Sequence, residues 1–254
     1  KKRGTNVRVI NASWGGGGES EALRSAIADA GAAGIVFVCS AGNDAVDNDE
    51  TPEFPSGFAT GLNNMISVAS IDERDELSFF SNFGHTLSFF SNFGHTSVSV
   101  AAPGSAIIST IPNGEYGPFP NGMSGTSMAS PHVAGIAALL LSNEPSLTPT
   151  QVRDRIIQTA EPIPALISRT VSSGRANAFN ALTRRIPPAR SPVIVNAEIT
   201  KKKVIIEGLG FANGSAIIEV NGVPLSGVGY DSSFSLANGT LTRLTAKPGK
   251  STIK

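Results

Sequence analysis

Apolar positions along the chain recur at two spacings, and the switches between them mark out a series of elements. Residues 7–10 form a short β-rich run, and residues 21–31 place Leu23, Ile27 and Ala30 at helical spacing. Ile35-Val36-Phe37-Val38-Cys39 is a continuous apolar run of the kind a fully buried strand presents. Together they predict a βαβ unit. Residues 65–71 and 97–102 add two β-leaning runs, and residues 127–141 predict a long apolar helix. Thr148-Pro149-Thr150-Gln151 then combines an N-cap, an N1 proline and a capping-box glutamine ahead of Val152, Ile156 and Ile157. Strands alternating with helices predict an α/β fold with a parallel sheet covered by helices on both faces.

The pattern changes at Ile186-Pro187-Pro188-Ala189-Arg190-Ser191-Pro192, where three prolines in seven residues predict a stiff linker. Beyond it the helical period disappears. β-rich runs at 204–207, 216–220 and 240–245 are separated by Asn-Gly pairs at 213–214, 221–222 and 238–239, a signal for tight hairpin turns. The expected organisation is therefore an α/β domain over 1–185, a linker over 186–192 and a small all-β domain over 193–254. The stretch from Val204 through Phe211 to Val220-Asn221-Gly222 resembles the start of an IPT/TIG immunoglobulin-like domain, which implies a β-sandwich, cut short at Lys254, whose ligand stays open.

Composition narrows the function classes. Lys plus Arg and Asp plus Glu balance at 20 each, which argues against a nucleic-acid partner. No apolar stretch reaches the roughly 18–20 residues of a membrane span, and no signal-peptide core follows Lys1, so the expectation is a soluble chain that is part of something longer. Cys39 is the lone cysteine and sits in an apolar run, which predicts a buried small hydrophobe.

Residues 77–86, Leu-Ser-Phe-Phe-Ser-Asn-Phe-Gly-His-Thr, are followed at once by the same ten residues over 87–96. Two copies of ten residues fall short of a solenoid and read as a recent duplication, an engineered insertion or a sequencing artefact. His85 and His95 recur with it, but no Cys or carboxylate stands near them at ligand spacing, so no metal site is expected.

Three motifs carry the chemistry. Gly125-Thr126-Ser127-Met128-Ala129-Ser130-Pro131-His132-Val133-Ala134-Gly135 places a hydroxyl where a glycine turn becomes a helix, whose unpaired N–H groups favour developing negative charge. In this reading Gly125 permits a sharp turn, Pro131 falls within the first helical turn, and Gly135 allows close approach of a neighbour. Ser40-Ala41-Gly42-Asn43 ends the buried strand, and Asn11-Ala12-Ser13-Trp14-Gly15-Gly16 ends the first one. Each admits a bland reading as well: a serine-rich helix cap, an asparagine in a turn, and a structural turn with Trp14 in the core.

In this order and spacing the three motifs resemble the subtilisin-like serine proteases, over residues 1 to about 183. The resemblance implies that Ser127 is the nucleophile and that its backbone N–H and the Asn43 side chain form the oxyanion hole. It implies that Ser13, Trp14, Gly15 and Ser40, Ala41, Gly42 grip a protein or peptide substrate, the first three walling the primary specificity pocket. No cofactor is required, structural calcium is possible with Asp72 as the one candidate, secretion is expected, and Phe54-Pro55 is expected to be cis. The family's Asp and His precede the nucleophile in the chain. No Asp-Ser-Gly, Asp-Thr-Gly or His-Gly-Thr segment occurs, and the histidines are 85, 95 and 132, the last matching a structural position. The chain thus resembles the C-terminal part of a catalytic domain, inactive by itself. The alternative is a non-catalytic secreted binding or adhesion protein built on a decayed protease fold.

One copy of the duplication suffices for a β-rich segment, so removing residues 87–96 relieves loop-closure cost without removing core. The deletion variant is expected to melt at a higher temperature than the parent; an unchanged or lower melting temperature in calorimetry means both copies are packed.

Overall fold

The computed structural model describes residues 4–84, 97–118, 120–167 and 169–187, together with the backbone of the strands between 193 and 246. The chain divides into two compact units, Lys1–Pro187 and Pro188–Lys254. The first contains β1 (Val9–Ala12), α1 (Glu21–Ala32), β2 (Val36–Ser40), β3 (Met65–Ile71), β4 (Val100–Pro103), β5 (Ser109–Ile111) and β6 (Glu115–Gly117). It continues through α2 (Thr126–Asn143), α3 (Pro149–Gln158), β7 (Glu161–Pro162), β8 (Gly174–Arg175) and α4 (Ala178–Thr183). Its main sheet has the order β1-β2-β3-β4-β8-β7. Every pairing from β1 to β8 is parallel, and β7 closes the edge antiparallel to β8. This is an α/β fold with a mostly parallel sheet.

Parallel strands covered on both faces must be apolar on both faces, and β2 and β3 are buried at every position. One face, with Val36, Val38, Ile66, Val68 and Val100, packs against the Ala129, Val133, Ala137 and Leu140 stripe of α2 and against Val152 and Ile156 of α3. The other, with Phe37, Cys39 and Met65, packs against Ile27 of α1 and Phe58. Cys39 is fully buried, and burial pushes its thiol up to about 12, so it behaves as a hydrophobe. The predicted capping box on α3 is complete, with the Thr148 side chain and Gln151 each satisfying the other's backbone N–H.

Three details of the expected helix differ. Helix α2 begins at Thr126, which puts Pro131 in its second turn. Gly125 has φ 161°, extended backbone open to any residue, so a left-handed turn is not what requires glycine there. Gly135 is exposed, with nothing near the place a Cβ would take, so it mediates no close approach.

Residues 77–84 of the first repeat copy are built into this unit. Leu77 bridges to Ile71, Ser78 N–H donates to Ser70 O at 2.9 Å, and Phe83 bridges to Asp47. Ser81 and Asn82 are buried. His85 and Thr86 of the first copy and the whole second copy, with His95, lie outside the described residues.

The second unit contributes β9 (Val193–Ile199), β10 (Val204–Leu209), β11 (Glu219–Val220), β12 (Val223–Pro224), β13 (Gly229–Leu236) and β14 (Gly239–Ala246). They form a four-stranded antiparallel sheet ordered β13-β14-β10-β9 and a separate β11-β12 pair. β11 pairs antiparallel with β12 and β13 with β14; the predicted Asn-Gly turns at 213–214 and 221–222, and Asn238 of the third, lie outside the described residues.

At the far end of α2, Glu144 accepts from Arg155 of α3 at 2.5 and 3.3 Å and from Arg184 after α4 at 2.6 Å, joining three helices. These hydrogen bonds hold the Glu144 carboxyl down at about 2, against an ordinary value of 4.5. A carboxyl lowered in the folded state stabilises fully above its unfolded value and loses that contribution as pH falls toward the folded one. Glu144→Gln is therefore expected to be less stable at neutral pH and to lose less on acidification from 4.5 to about 2. Denaturant titrations across that window check it; parallel pH profiles for the two proteins contradict it.

Candidate active site

The ends of β1 and β2 meet the start of α2. Thr126, fully buried, donates its backbone N–H to Asn43 Oδ1 at 2.9 Å. Its hydroxyl lies 3.0 Å from the same Oδ1 and 3.2 Å from Gly42 O, and accepts the Gly42 N–H at 3.2 Å. Because Oδ1 is the acceptor, the amide orientation of Asn43 is determined and its Nδ2 group is turned the other way. A Cβ built on Gly125 would lie 3.7 Å from Ser127 N and 3.8 Å from Asn43 Nδ2. These two nitrogens, together with Met128 Sδ at 3.7 Å, border the space that glycine leaves open.

Ser127 and Ser13 are paired in both directions. Ser127 Oγ donates to Ser13 O at 3.1 Å, and Ser13 Oγ donates to Ser127 O at 2.7 Å. The second bond has a cause in the sequence: Pro131 has no N–H, so the carbonyl four residues earlier, that of Ser127, lacks its helical donor. Ser13 supplies it. Ser13 Oγ accepts from Asn11 Nδ2 at 2.9 Å, and Asn11 Oδ1 accepts from Ser130 Oγ at 2.7 Å, which completes a chain from β1 to α2.

Trp14 is exposed at 51%, which removes the reading that buries it in the core. Its carbonyl accepts from Ser40 Oγ at 3.3 Å, linking residues 13–15 to residues 40–42. Gly16 N–H donates to Phe54 O at 3.0 Å, and the Phe54-Pro55 bond is cis as the resemblance implies. The predicted residues Ser13, Trp14, Gly15, Ser40, Ala41, Gly42, Asn43 and Ser127 therefore gather at one end of the sheet.

Two further residues organise this end. Asn82 is fully buried and accepts the N–H groups of Asp44 at 2.8 Å and Val46 at 3.3 Å on Oδ1. Its Nδ2 donates to Asn48 Oδ1 at 3.0 Å and Glu53 Oε2 at 2.9 Å. Gly42, at φ 118°, requires glycine twice over, since a Cβ would also collide with the Glu53 carboxylate and Asn82. Burial raises the Glu53 carboxyl above its usual range, with the Asp44 charge adding to it and the Asn82 hydrogen bond opposing. Neither residue carries a motif; Asn82 is hidden inside the duplication.

His132 is exposed and its Nδ1 lies 2.9 Å from Met128 O, one turn back along α2, with no hydrogen bond to Ser127. A cavity of about 440 Å³ beside Ser127 is bordered by Ile107, Thr110, Met123, Met128, Pro131 and His132. Asp72 Oδ1 caps its own turn by accepting from Arg74 N–H at 2.9 Å and Glu76 N–H at 3.0 Å. Among the described residues no three His, Cys, Asp or Glu side chains gather as a metal site.

A mostly parallel α/β sheet thus carries a serine at a helix start, beside the ends of two of its strands. Residues 3–189 match the profile of the Subtilase family, and the chain belongs to that family. It is 39% identical to Subtilisin DY of Bacillus licheniformis over 60% of this chain and 49% of that protein. It is 34% identical to an extracellular protease of Xanthomonas campestris over 83% of this chain and 34% of that one. Among solved structures it is similar to a protease from Pseudoalteromonas arctica, with TM-score 0.57, 30% identity, and coverage of 69% of this chain and 50% of that one. A cold-adapted subtilisin-like serine proteinase matches with TM-score 0.51 and 35% identity, covering 66% of this chain and 52% of the other. The chain spans half or less of the length of these curated relatives.

Asn82→Ala is expected to lower stability by at least about 2 kcal/mol, because it strands buried donors and acceptors. The variant belongs in the background lacking residues 87–96, where the repeated asparagine at 92 cannot replace it. A change within error in chemical denaturation removes Asn82 from this role.

Proposed function

We propose that this chain carries the nucleophile, the oxyanion hole and the substrate-gripping strands of a serine endopeptidase. The observation that carries the reading is that Ser127 N and Asn43 Nδ2 lie 3.7 and 3.8 Å from the place a Cβ on Gly125 would take, beside the Ser127 side chain. Residues 13–15 and 40–42 hold an extended peptide between them, with the scissile carbonyl carbon at Ser127 Oγ. Attack forms a C–O bond and pushes the carbonyl electrons onto oxygen, which accepts hydrogen bonds from the two N–H donors. Collapse expels the amine and leaves an acyl ester on Ser127; attack by water releases the acid. Preorganised donors act on charge that develops only in the transition state, which is why they accelerate the chemical step.

The Ser127 proton needs a base. Among the described residues no imidazole reaches Oγ, whose partner is the Ser13 carbonyl. The proposal therefore assigns the base and its carboxylate to residues outside this chain, and the 254-residue chain alone is inactive. Secretion is part of the same proposal, supported by the extracellular protease among the relatives. The antiparallel strands of residues 193–246 support an Ig-like accessory module. The missing base equally favours a second reading, a non-catalytic binding protein on a protease fold.

One experiment separates the two. The full-length gene product is treated with a fluorophosphonate, the adduct is mapped, and peptide hydrolysis is measured for it, for variants and for this chain alone. The expected adduct is on Ser127, and Ser127→Ala abolishes turnover. Asn43→Ala lowers kcat by about 100- to 1000-fold, a magnitude taken from subtilisins themselves. The isolated chain falls about a million-fold below the full-length product, also a subtilisin magnitude. Modification of a different serine, or rates of the isolated chain comparable to the full-length product, overturn the assignment. Absence of both labelling and hydrolysis in the full-length product selects the non-catalytic reading.

A further inference from the structure

The peptide-gripping strands leave between them a carboxylate for which the mechanism has no use. Glu53 Oε1 lies 2.5 Å from the position a Cβ would take on Gly15, and Oε2 occupies the corresponding space beside Gly42. The carboxylate therefore touches both walls, residues 13–15 and residues 40–42, at glycines whose missing side chains make room for it. It is held there from both sides along the chain. Gly57 N–H donates to Glu53 O at 2.6 Å, and the next carbonyl, Phe54 O, accepts from Gly16 N–H at 3.0 Å.

The two carboxylate oxygens are not equivalent. Oε2 accepts from Asn82 Nδ2 at 2.9 Å, whereas Oε1, on the Gly15 side, has no hydrogen-bond donor among the described residues. No Lys or Arg pairs with Glu53 among those residues. Its charged neighbour is Asp44, which is also acidic, and burial and Asp44 both raise its carboxyl. A half-buried carboxylate without a cation is costly unless something supplies one, and an apolar side chain entering this space would bury it further.

We propose that Glu53 makes the pocket between residues 13–15 and 40–42 select peptides with lysine or arginine on the N-terminal side of the scissile bond. The incoming ammonium or guanidinium donates to Oε1, while Asn82 keeps Oε2 in place. Selectivity arises from both sides, since the cation gains a charge-assisted hydrogen bond and an apolar competitor desolvates an unpaired charge. Glu53 is a specificity residue and takes no part in bond making. The proposal rests on the peptidase reading of residues 13–15 and 40–42.

The test is a specificity profile of the full-length gene product. Peptide anilides identical except for Arg, Lys, Leu, Phe or Glu before the scissile bond are compared by kcat/KM, with binding of the same labelled peptides measured in parallel. The expected preference for Arg and Lys over Leu and Phe is about 10- to 100-fold, the range of one charge-assisted hydrogen bond. Glu53→Gln keeps an acceptor for Asn82 and removes the charge, so it is expected to abolish the preference while hydrolysis of the Leu peptide persists. Glu53→Lys is expected to invert the profile toward the Glu peptide, and thermal melts verify that both variants are folded. A purely structural role for Glu53 would leave the Arg-to-Leu ratio unmoved by Glu53→Gln, and that result overturns the proposal while sparing the peptidase reading. Hydrolysis without preference for a cation overturns it in the same way. Failure to bind or cleave any of the peptides overturns the peptidase reading, and this proposal with it.

Discussion

The start of α2 is sutured to the ends of two strands, and the chemistry of the site depends on that seam. A helix N-terminus leaves backbone donors without intrahelical partners. Here the first of them, Thr126 N–H, is spent on Asn43 Oδ1, and the next nitrogen, Ser127 N, borders the space beside Gly125. The same bond that satisfies Thr126 orients the Asn43 amide, so one contact both closes the helix end and aims the second donor. On the β1 side, the proline that deprives Ser127 O of a helical partner makes room for the Ser13 hydroxyl. Helix and sheet are locked together by what each lacks.

A second layer of constraint supports this seam from behind. The loop from Gly42 to Glu53 returns beside its own start, and a fully buried asparagine holds both ends, with Asp44 and Val46 on its oxygen and Glu53 and Asn48 on its nitrogen. Buried polar groups are costly unless satisfied, so this network specifies one loop conformation rather than several. That is what lets the Glu53 carboxylate stand against the two glycine walls in a fixed place. One of its oxygens is hydrogen-bonded to Asn82, and the other lies against Gly15.

Much of this was readable from residue patterns because it rests on local rules. The all-apolar run ending at Cys39, the helical spacing of Leu23 and Ile27, and the Thr148–Gln151 box each state their element within a few residues. The three motifs likewise mark where the ends of β1 and β2 meet the start of α2. What escaped depends on contacts across the fold. Asn82 sits among repeated residues with no distinguishing neighbour, and its partners are 29 to 38 positions away. Glu53 becomes meaningful only when Gly15 and Gly42 are brought against it. Trp14 misleads for the opposite reason: a large aromatic beside a strand is commonly core, whereas here the strand's backbone faces the site and the ring is left outside. Pro131 shows how a small shift matters, since moving the helix start to Thr126 converts a harmless first-turn proline into the cause of the Ser13 bond.

Under the proposed peptidase reading, the site is preorganised for charge stabilisation more completely than for proton transfer. The donors around Gly125 are fixed by buried contacts, and nothing need move for them to meet a developing oxyanion. The Ser127 hydroxyl, by contrast, gives its proton to a neutral carbonyl, Ser13 O, an acceptor that orients it but cannot take it. In that reading a base must win that hydrogen from Ser13 O, breaking only one of the two bonds between the serines. The other, from Ser13 Oγ to Ser127 O, keeps α2 in register while the hydroxyl turns. The reciprocal pair thus separates positioning of the nucleophile's backbone from activation of its side chain, so the seam survives the step that it serves.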